Sequence, residues 1–169
     1  SMVAKLTVGR KKYARVETEM KKILKQSEKL RDELTMAISD DTAAFDAVMD
    51  AFKLPKETAK EQAARSKAIQ KAMSGAAIVP LKTARAAAKT LDLAAIAAAK
   101  GNVNAISDSG TAAHLCHTAL SGAALNVKIN ANSIKDRKKA ASWIKEINKL
   151  ETRAASALGS IVKTVGKRM

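Results

Sequence analysis

The sequence is poor in helix-breaking and aromatic residues. Its 169 residues include seven Gly, two Pro, two Phe, one Trp and one Tyr. So few breakers, together with abundant Ala, Lys and Leu, are typical of an all-α protein whose helices pack through small side chains. A chain of this length can bury a core of its own, so we expect residues 1–169 to form a single domain.

Cysteine and long apolar runs are also scarce. The single cysteine, Cys116, excludes a disulfide within the chain and a zinc site built from several cysteines. No apolar run reaches the roughly 18–20 residues that span a bilayer, and no secretory signal is present. We therefore expect a cytoplasmic protein without a membrane partner.

Acidic residues are outnumbered by basic ones. The chain has 31 Lys and Arg against 16 Asp and Glu, a formal net charge of +15. This charge favours anionic partners. Binding of single-stranded nucleic acid relies on aromatic side chains among the basic ones. The few aromatic residues do not interleave with the basic clusters: Tyr13, Phe45, Phe52 and Trp143. We therefore do not expect nucleic acid as the main partner, and simply solvated basic faces remain an alternative.

Apolar spacing and capping residues predict five to six helices joined by short loops. A long helix is expected from about Lys11 to Phe52, ending before Pro55. Thr58 and Glu61 have the spacing of a capping box for the next helix. Pro80 either kinks that helix or starts another. Other boundaries follow from residue type: Gly101 as a stop, Ser107 or Asp108 as a cap, and Ser133 and Asp136 before the last helix. The resulting architecture is an antiparallel up-and-down helical bundle.

One acidic residue interrupts an apolar stripe on the first long helix. The stripe recurs at steps of three and four, so its members share one helical face: Leu30, Leu34, Ile38, Asp41, Phe45, Val48 and Phe52. A buried carboxylate is costly unless it is paired, hydrogen-bonded or protonated, and burial raises its pKa. Asp41 is therefore either a proton-transfer residue or a core carboxylate satisfied by a neighbour such as Lys.

A second line of polar residues is predicted to face inward from a later helix. Asp108, Asn126 and Asn130 recur with small residues at steps of three and four. Asp108 and Asn126 are separated by roughly 27 Å along a straight helix. They therefore cannot both reach one small reacting centre within one subunit.

Other candidate motifs are weak. His114 and His117 have a spacing that can ligate a metal, but no carboxylate cluster is placed to complete the site. No P-loop, dinucleotide fingerprint or nucleophile elbow occurs. We therefore expect neither a metal nor a prosthetic cofactor. Lys11 and Lys12, just after Gly9, either hold an anion or form an exposed helix start.

Four stretches together resemble the cyclodeaminase/cyclohydrolase family of folate enzymes, which includes the C-terminal half of formiminotransferase-cyclodeaminase. They occur in the family's order: Leu6–Tyr13 (LTVGRKKY), Asp41–Lys56 (DTAAFDAVMDAFKLPK), Gly101–Gly110 (GNVNAISDSG) and Asn126–Asp136 (NVKINANSIKD). The likeness covers essentially the whole chain. It implies a helical bundle that dimerises and holds folate in a groove between helices. It also implies that the cyclodeaminase acid is Asp41. The Pro-Gly-Gly-Gly-Ser helix start that is usual in the family is absent here.

The resemblance implies a formiminotetrahydrofolate cyclodeaminase. In that reaction N10 attacks the amidine carbon on N5, ammonia leaves, and 5,10-methenyltetrahydrofolate forms. One carboxyl group, Asp41, can carry both proton transfers without a metal or redox cofactor. We expect asparagines to orient the pterin or amidine and lysines to attract the glutamate tail of a folate, polyglutamylated or not. The residues expected to bind substrate are Lys11, Lys12, Lys53, Asn104, Asp108, Asn126 and Asn130.

Two alternatives remain open. In a methenyltetrahydrofolate cyclohydrolase the same Asp would activate water for attack on the methenyl carbon, so the motifs do not separate the two enzymes. The other alternative is a noncatalytic basic helical scaffold or nucleic-acid binder, which the net charge of +15 motivates.

Overall fold

The computed structural model describes residues 1–169 and contains helices but no β-strands, which confirms the all-α prediction. The five α-helices are α1 (Met2–Thr7), α2 (Glu17–Lys53), α3 (Ala59–Lys100), α4 (Ile106–Asn132) and α5 (Arg137–Arg168). Two 3₁₀ segments precede α2 and α4: Lys11–Val16 and Val103–Ala105. None of the helices combines the length and apolar character that crossing a membrane requires.

The helices form an up-and-down bundle with α3 in contact with α2, α4 and α5. Contacts at the two ends show that α2 and α3 are antiparallel: Lys100 Nζ to Glu19 Oε2 at 2.9 Å and Arg65 Nη2 to the Phe52 carbonyl at 3.0 Å. Two ion pairs tie α3 to the parallel helix α5: Arg85 to Glu146 and Arg153 to Asp92, each with an N–O distance of 2.6 Å. The predicted bundle topology is confirmed.

The main core lies between α3, α4 and α5. Its larger members are fully buried: Leu81, Leu91, Leu120, Ile147 and Ile161. The α3 surface that meets them is lined by alanines, which lets the neighbouring helices approach closely. One face of α5 packs into this core, because Ile147, Ala154, Ile161 and Val165 are all buried.

Two of the predicted caps are present. Glu61 N donates to Thr58 Oγ1 at 3.2 Å and Thr58 N donates to Glu61 Oε2 at 2.8 Å, which completes the capping box. Asp136 caps α5 by accepting from Lys139 N at 3.0 Å. The prediction that Ser107 or Asp108 caps α4 is wrong. The 3₁₀ segment leads directly into α4 at Ile106, which has no side-chain cap.

Gly101 ends α3 as predicted, but for a steric reason. Its φ of −73° is accessible to any residue. A Cβ at this position would lie 2.6 Å from the Ala97 carbonyl oxygen and 2.7 Å from Val3 Cγ1. Glycine is therefore required here by the close approach of α1 to the end of α3.

Pro80 lies inside α3, and the helix continues through it, so the proline does not start a new helix. Proline has no backbone N–H, which leaves the carbonyl of Ala76 without its helical donor. Asn130 Nδ2, on α4, donates to that carbonyl at 3.1 Å. A side chain of α4 thus replaces the missing backbone bond and joins the two helices.

Candidate functional site

The 3₁₀ segment before α2 is bonded to the loop after α3. Tyr13 Oη accepts from Val103 N at 3.0 Å and donates to Asn102 Oδ1 at 3.5 Å. Asn102 also donates to α1, through Nδ2 to the Leu6 carbonyl at 3.0 Å and through its backbone N–H to Thr7 Oγ1 at 2.8 Å. These bonds join α1, the 3₁₀ segment and the loop into one unit, which we call the α1 end of the bundle.

Three of the predicted binding residues are exposed at the α1 end: Lys11, Lys12 and Asn104. The Lys12 ammonium lies 5.7 Å from the centre of the Tyr13 ring, and neither lysine pairs with a carboxylate. Asn104 uses its backbone N–H to bond Asn102 Oδ1 and leaves its own side chain without a hydrogen bond. All three side chains are available to an anionic or polar ligand.

An open trough lies between α2 and α4 with α3 as its floor; we call it the α2–α4 trough. Near the α1 end its lining includes Ile23 and Ser27 of α2, Thr90 and Ala94 of α3, and Asp108, Ser109 and Leu115 of α4. Ser27 and Thr90 also line its continuation toward Leu34 and Ile38 of α2. The trough therefore follows α2 toward Asp41.

The α4 wall of the trough carries a buried hydroxyl that sequence reasoning missed. Ser109 is 2% exposed, and its Oγ has no hydrogen-bond partner. Threonines in other helices of this chain, such as Thr83 and Thr90, donate to the carbonyl four residues earlier. Unsatisfied buried hydroxyls are rare in folded proteins, so Ser109 is a candidate contact for a bound polar group. Its one sequence signal is its place beside Asp108, which is half-buried in the trough.

Asp41 is exposed on α2 and follows one turn after Ile38, which lines the trough. Its neighbours in the predicted stripe are exposed too, since Ile38 is 72% and Phe45 is 61% accessible. The predicted burial of Asp41 is therefore wrong within a single chain. The alternative of a core carboxylate paired with Lys is excluded for the same reason.

Small residues explain why the stripe, which is buried at Leu30, is exposed around Asp41. Ala37, Ala44 and Ala51 recur every seven residues on α2 and lie against α3, where Ala51 is buried. Close packing through these alanines turns the adjacent side of α2, which carries the larger apolar residues, away from α3. The periodicity was right about which residues share a face, but that face is buried only at Leu30 and is exposed at Ile38 and Phe45.

The structure brings Asp41 level with the two asparagines of α4. The α2–α3 register is fixed by one contact near each end: Glu19 with Lys100 and Phe52 with Arg65. Interpolation along the helices places Asp41 about level with Ala77. Asn130 is bonded to the carbonyl of Ala76, so it lies at the same level on the α4 side. Asn126 lies about one turn away. The line containing both asparagines was predicted to face inward, but Asn126 is exposed and Asn130 half-buried.

Lys53 stands apart from the other predicted binding residues. It is exposed near the end of α2, roughly 18 Å along the helix from Asp41. Its Nζ donates to Asp50 Oδ1 at 2.9 Å, and this hydrogen bond raises the pKa of Lys53. Lys53 is therefore engaged locally and belongs to neither group of candidate residues.

The remaining candidates form two groups in one chain. The first contains Asp41, Asn126 and Asn130; the second contains Lys11, Lys12, Asn104 and Asp108. Asp108 lines the trough together with Ala94 and Ala97 of α3, which places the second group roughly 25–30 Å along the bundle from Asp41. One subunit alone therefore does not assemble all of these residues around a small reacting centre.

No group of three or more His, Cys, Asp and Glu side chains is close enough to hold a metal ion. The pair His114 and His117 therefore has no third ligand of these types. Cys116, between them in sequence, is half-buried, and burial raises the pKa of its thiol.

Comparison with known proteins gives consistent matches. A model of the family described as formiminotransferase-cyclodeaminase matches residues 1–149. The methenyltetrahydrofolate cyclohydrolase of Methylorubrum extorquens is 46% identical over 169 residues, which are 100% of this chain and 81% of that protein. The formimidoyltransferase-cyclodeaminase of Rattus norvegicus is 32% identical over 168 residues, covering 95% of this chain but only 30% of the rat protein.

A solved structure has the same fold. The crystal structure of formiminotetrahydrofolate cyclodeaminase from Thermotoga maritima aligns with a TM-score of 0.86 and 30% identity, covering 98% of this chain and 79% of that one. The sequence and structural matches both extend over nearly the whole chain, as the resemblance of the four stretches predicted. The chain therefore belongs to the formiminotransferase-cyclodeaminase family.

Proposed function

We propose that this protein is a methenyltetrahydrofolate cyclohydrolase in which Asp41 transfers the protons. The observation that carries this choice is the identity of 46% over the whole chain to a protein of that name, against 32% to the rat cyclodeaminase. The family resemblance implied cyclodeaminase first, but the motifs do not separate the two enzymes, because the same acid would act at the same carbon in both reactions. Asp41 is exposed one turn after Ile38 of the trough, so a substrate in the trough can reach its carboxylate.

Hydrolysis of a methenyl bridge requires one water molecule and a group that moves its protons. The Asp41 carboxylate takes a proton from water as the oxygen attacks the carbon between N5 and N10. When the resulting carbinol opens, Asp41 returns that proton to the departing nitrogen, and the hydroxyl proton is released as the formyl C=O forms. The cationic substrate and one water thus give a neutral formyl product and one proton.

Asn126 and Asn130 are positioned to orient the pterin opposite Asp41. The Asn130 side chain is held by its bond to the Ala76 carbonyl, while its Oδ1 has no hydrogen bond. This leaves a fixed acceptor at the level of the proposed proton-transfer residue. Amide side chains of this kind match the donor and acceptor groups of a pterin ring.

We infer that the enzyme is a homodimer formed through the α2–α4 trough. Ile38 and Leu115 line the trough and are exposed. Further large apolar side chains are exposed on the same two helices: Phe45, Met49 and Phe52 of α2, and Leu125 and Ile129 of α4. Apolar surface concentrated in this way is typical of an interface. A second copy would cover these residues and exclude bulk water from the surroundings of Asp41.

A two-fold axis would also unite the two groups of candidate residues. Such an axis pairs each helix with a reversed copy. An axis that crosses the trough midway between the groups places Asp41 of one subunit beside Asp108 of the partner subunit. Lys11 and Lys12 of the partner subunit then lie near the same substrate, where they can hold the anionic glutamate tail of a folate, polyglutamylated or not.

The substrate is tested with the full chain assayed on 5,10-methenyltetrahydrofolate and on 5-formiminotetrahydrofolate. We expect fast loss of the near-ultraviolet absorbance of the methenyl group, above the rate without enzyme, and little ammonia from the formimino substrate. Faster release of ammonia would replace this proposal with the second candidate, cyclodeaminase, which the Thermotoga maritima relative favours. If the protein turns over neither substrate, both candidate functions are wrong.

The shared site is tested by mixing two inactive variants, Asp41→Asn and Asp108→Asn. Random reassociation makes half of the dimers mixed, and each mixed dimer has one site with both native residues, so about a quarter of wild-type activity should return. The control mixes two preparations of Asp41→Asn, which should stay inactive. No recovery in dimers shown to have exchanged subunits would exclude a site that combines Asp41 of one subunit with Asp108 of the other.

A further inference from the structure

The outward face of α5 carries lysines and no acidic residue. Five lysines lie within about 40° of one another around the helix, at 100° per residue. All five are exposed and outside the ion pairs of the bundle: Lys138, Lys145, Lys149, Lys163 and Lys167. We call this surface the α5 lysine face. The opposite side of α5 carries Ile147, Ile161 and Val165, which are buried in the core.

The two acidic residues of α5 are drawn away from this face by ion pairs with other helices. Glu146 Oε1 lies 2.6 Å from Arg85 Nε on α3. Glu151 Oε2 lies 2.6 Å from Lys128 Nζ on α4. The helix therefore leaves the five lysines of this face unpaired, while its two carboxylates are neutralised by partners on α3 and α4. Composition alone does not reveal this separation.

The α5 lysine face is not part of the proposed folate site. No residue of α5 lines the α2–α4 trough between the α1 end and Ile38. Neither the core nor the proposed reaction thus accounts for the five lysines.

We propose that the α5 lysine face binds the phosphate backbone of duplex nucleic acid without sequence preference. The row extends roughly 44 Å from Lys138 to Lys167 at 1.5 Å per residue, longer than the roughly 34 Å of one duplex turn. Exposed hydroxyls lie on or beside the same side of the helix: Ser142, Thr152, Ser156 and Ser160. Lysine and hydroxyl groups are typical phosphate contacts that carry no base readout.

Two other polyanionic partners fit the face less well. Single strands are bound by stacking of bases on aromatic side chains, and Trp143, the one aromatic residue of α5, is buried. Helices that bind membrane surfaces insert an apolar face. The apolar face of α5 is already packed in the core. Duplex backbone is therefore the partner that the charge pattern favours.

The test measures binding of a fluorescently labelled random-sequence 24-base-pair duplex to the full chain by anisotropy across a salt series. The variant Lys145→Gln/Lys149→Gln/Lys163→Gln removes three charges from the face. The control Lys22→Gln/Lys25→Gln/Lys67→Gln removes three exposed, unpaired charges from α2 and α3, so the two variants have equal net charge. Far-ultraviolet circular dichroism checks that both are folded, and the single variant Lys145→Gln replaces the triple if it is not.

We expect the α5 variant to bind at least tenfold more weakly at about 100 mM salt, with a salt slope smaller by about two to three, since each phosphate contact contributes about 0.9. A loss of one contact should reduce the slope by about one for Lys145→Gln. The affinity of the control variant for the duplex should fall by less than threefold. Equal losses in the two triple variants, no duplex binding at about 50 mM salt, or preferential binding to anionic phospholipid vesicles would each overturn the proposal.

Discussion

Asp40 and Asp41 are adjacent in sequence but face different surfaces, because successive residues of a helix are 100° apart. Asp40 lines a groove between α2 and α3 together with Lys82 and Lys89. Asp41 follows one turn after Ile38, which lines the trough. Both are exposed carboxylates of the same helix. The proposed function thus depends on which side of α2 a carboxylate occupies, and Asp40 is the matched control for Asp41.

The ion pair between Arg85 and Glu146 should make stability depend on pH. The bond from Arg85 lowers the pKa of Glu146 in the folded state. The stabilisation is therefore present above the ordinary pKa of the carboxyl group and is lost as pH falls through its lowered value. Because both side chains are more than a third exposed, Glu146→Gln should reduce the unfolding free energy by less than about 1 kcal/mol at pH 7.

This prediction is checked by urea unfolding of wild type and Glu146→Gln between pH 7 and pH 2. The difference in unfolding free energy between the two proteins should shrink as the Glu146 carboxyl group of wild type is protonated. Asp46→Asn, at an exposed position of α2 without an ion pair, should differ little from wild type throughout. A difference that stays constant down to pH 2 would show that the ion pair is not its source.

At single positions, the sequence could identify Asp41 as a candidate but not its surroundings. The three- and four-residue steps correctly place Ile38, Asp41 and Phe45 on one side of α2. They do not show whether that side is covered, and the alanines that contact α3 carry little hydrophobic signal. The bonds of Tyr13 to Asn102 and Val103 join residues 89 and 90 positions apart, which no local pattern reports.

Helices α3 and α4 are joined where Pro80 interrupts the backbone bonding of α3. The carbonyl of Ala76 accepts from the Asn130 side chain instead of a backbone N–H. This bond also sets the position of Asn130 in the proposed site. A residue assigned to substrate from sequence thus has a structural role as well, and the two roles use different atoms of its amide group.

Pro80→Ala and Asn130→Ala should be energetically coupled. Asn130→Ala alone leaves a carbonyl without a donor and should cost about 1 kcal/mol. In the Pro80→Ala background the new backbone N–H of residue 80 can satisfy the same carbonyl, so the cost should fall by at least half. Chemical unfolding of the four proteins of the cycle measures the coupling.

The control for this cycle pairs Pro80→Ala with Asn126→Ala, an exposed residue of α4. Its effect should be independent of residue 80. Additivity within about 0.3–0.5 kcal/mol for the Asn130 pair would contradict the proposed replacement of one donor by the other.

Helix boundaries were predictable where a side chain next to the boundary determines them. Thr58 with Glu61 and Asp136 satisfy the first N–H groups of α3 and α5, and both caps are present. The start of α2 was misplaced because residues 11–16 form a 3₁₀ segment whose Tyr13 is bonded to a distant loop. The continuity of α3 through Pro80 depends on Asn130, which local sequence does not connect to it.

In the molecule as a whole, the bundle is complete around α3, α4 and α5 but open between α2 and α4. The core is built mainly from alanines and branched residues of α3, α4 and α5, together with Trp143. The trough leaves Phe45 and Ile129, among others, more than half exposed. Folding of one chain therefore buries most of the apolar pattern but leaves the stripe exposed around Asp41.

Phe45→Glu should convert the proposed dimer to a monomer and remove most folate turnover, because it places a charge in the interface and opens the shared site. Size-exclusion chromatography with light scattering measures the mass, and circular dichroism checks the fold. Val162→Glu changes an exposed apolar residue of α5 and should remain dimeric and active. The proposed dimer would be contradicted if Phe45→Glu had the same mass in solution as wild type, or if wild type were a fully active monomer.

The central claim is that Asp41 transfers protons during hydrolysis of the methenyl bridge. The most direct measurement compares kcat of Asp41→Asn and Asp40→Asn on 5,10-methenyltetrahydrofolate. The two variants make the same change in charge and size at adjacent positions. Loss of a general acid–base residue should lower kcat by about 10²–10⁴ for Asp41→Asn with little change in KM, while Asp40→Asn stays close to wild type. Wild-type kcat in Asp41→Asn, or equal losses in both variants, would contradict the claim.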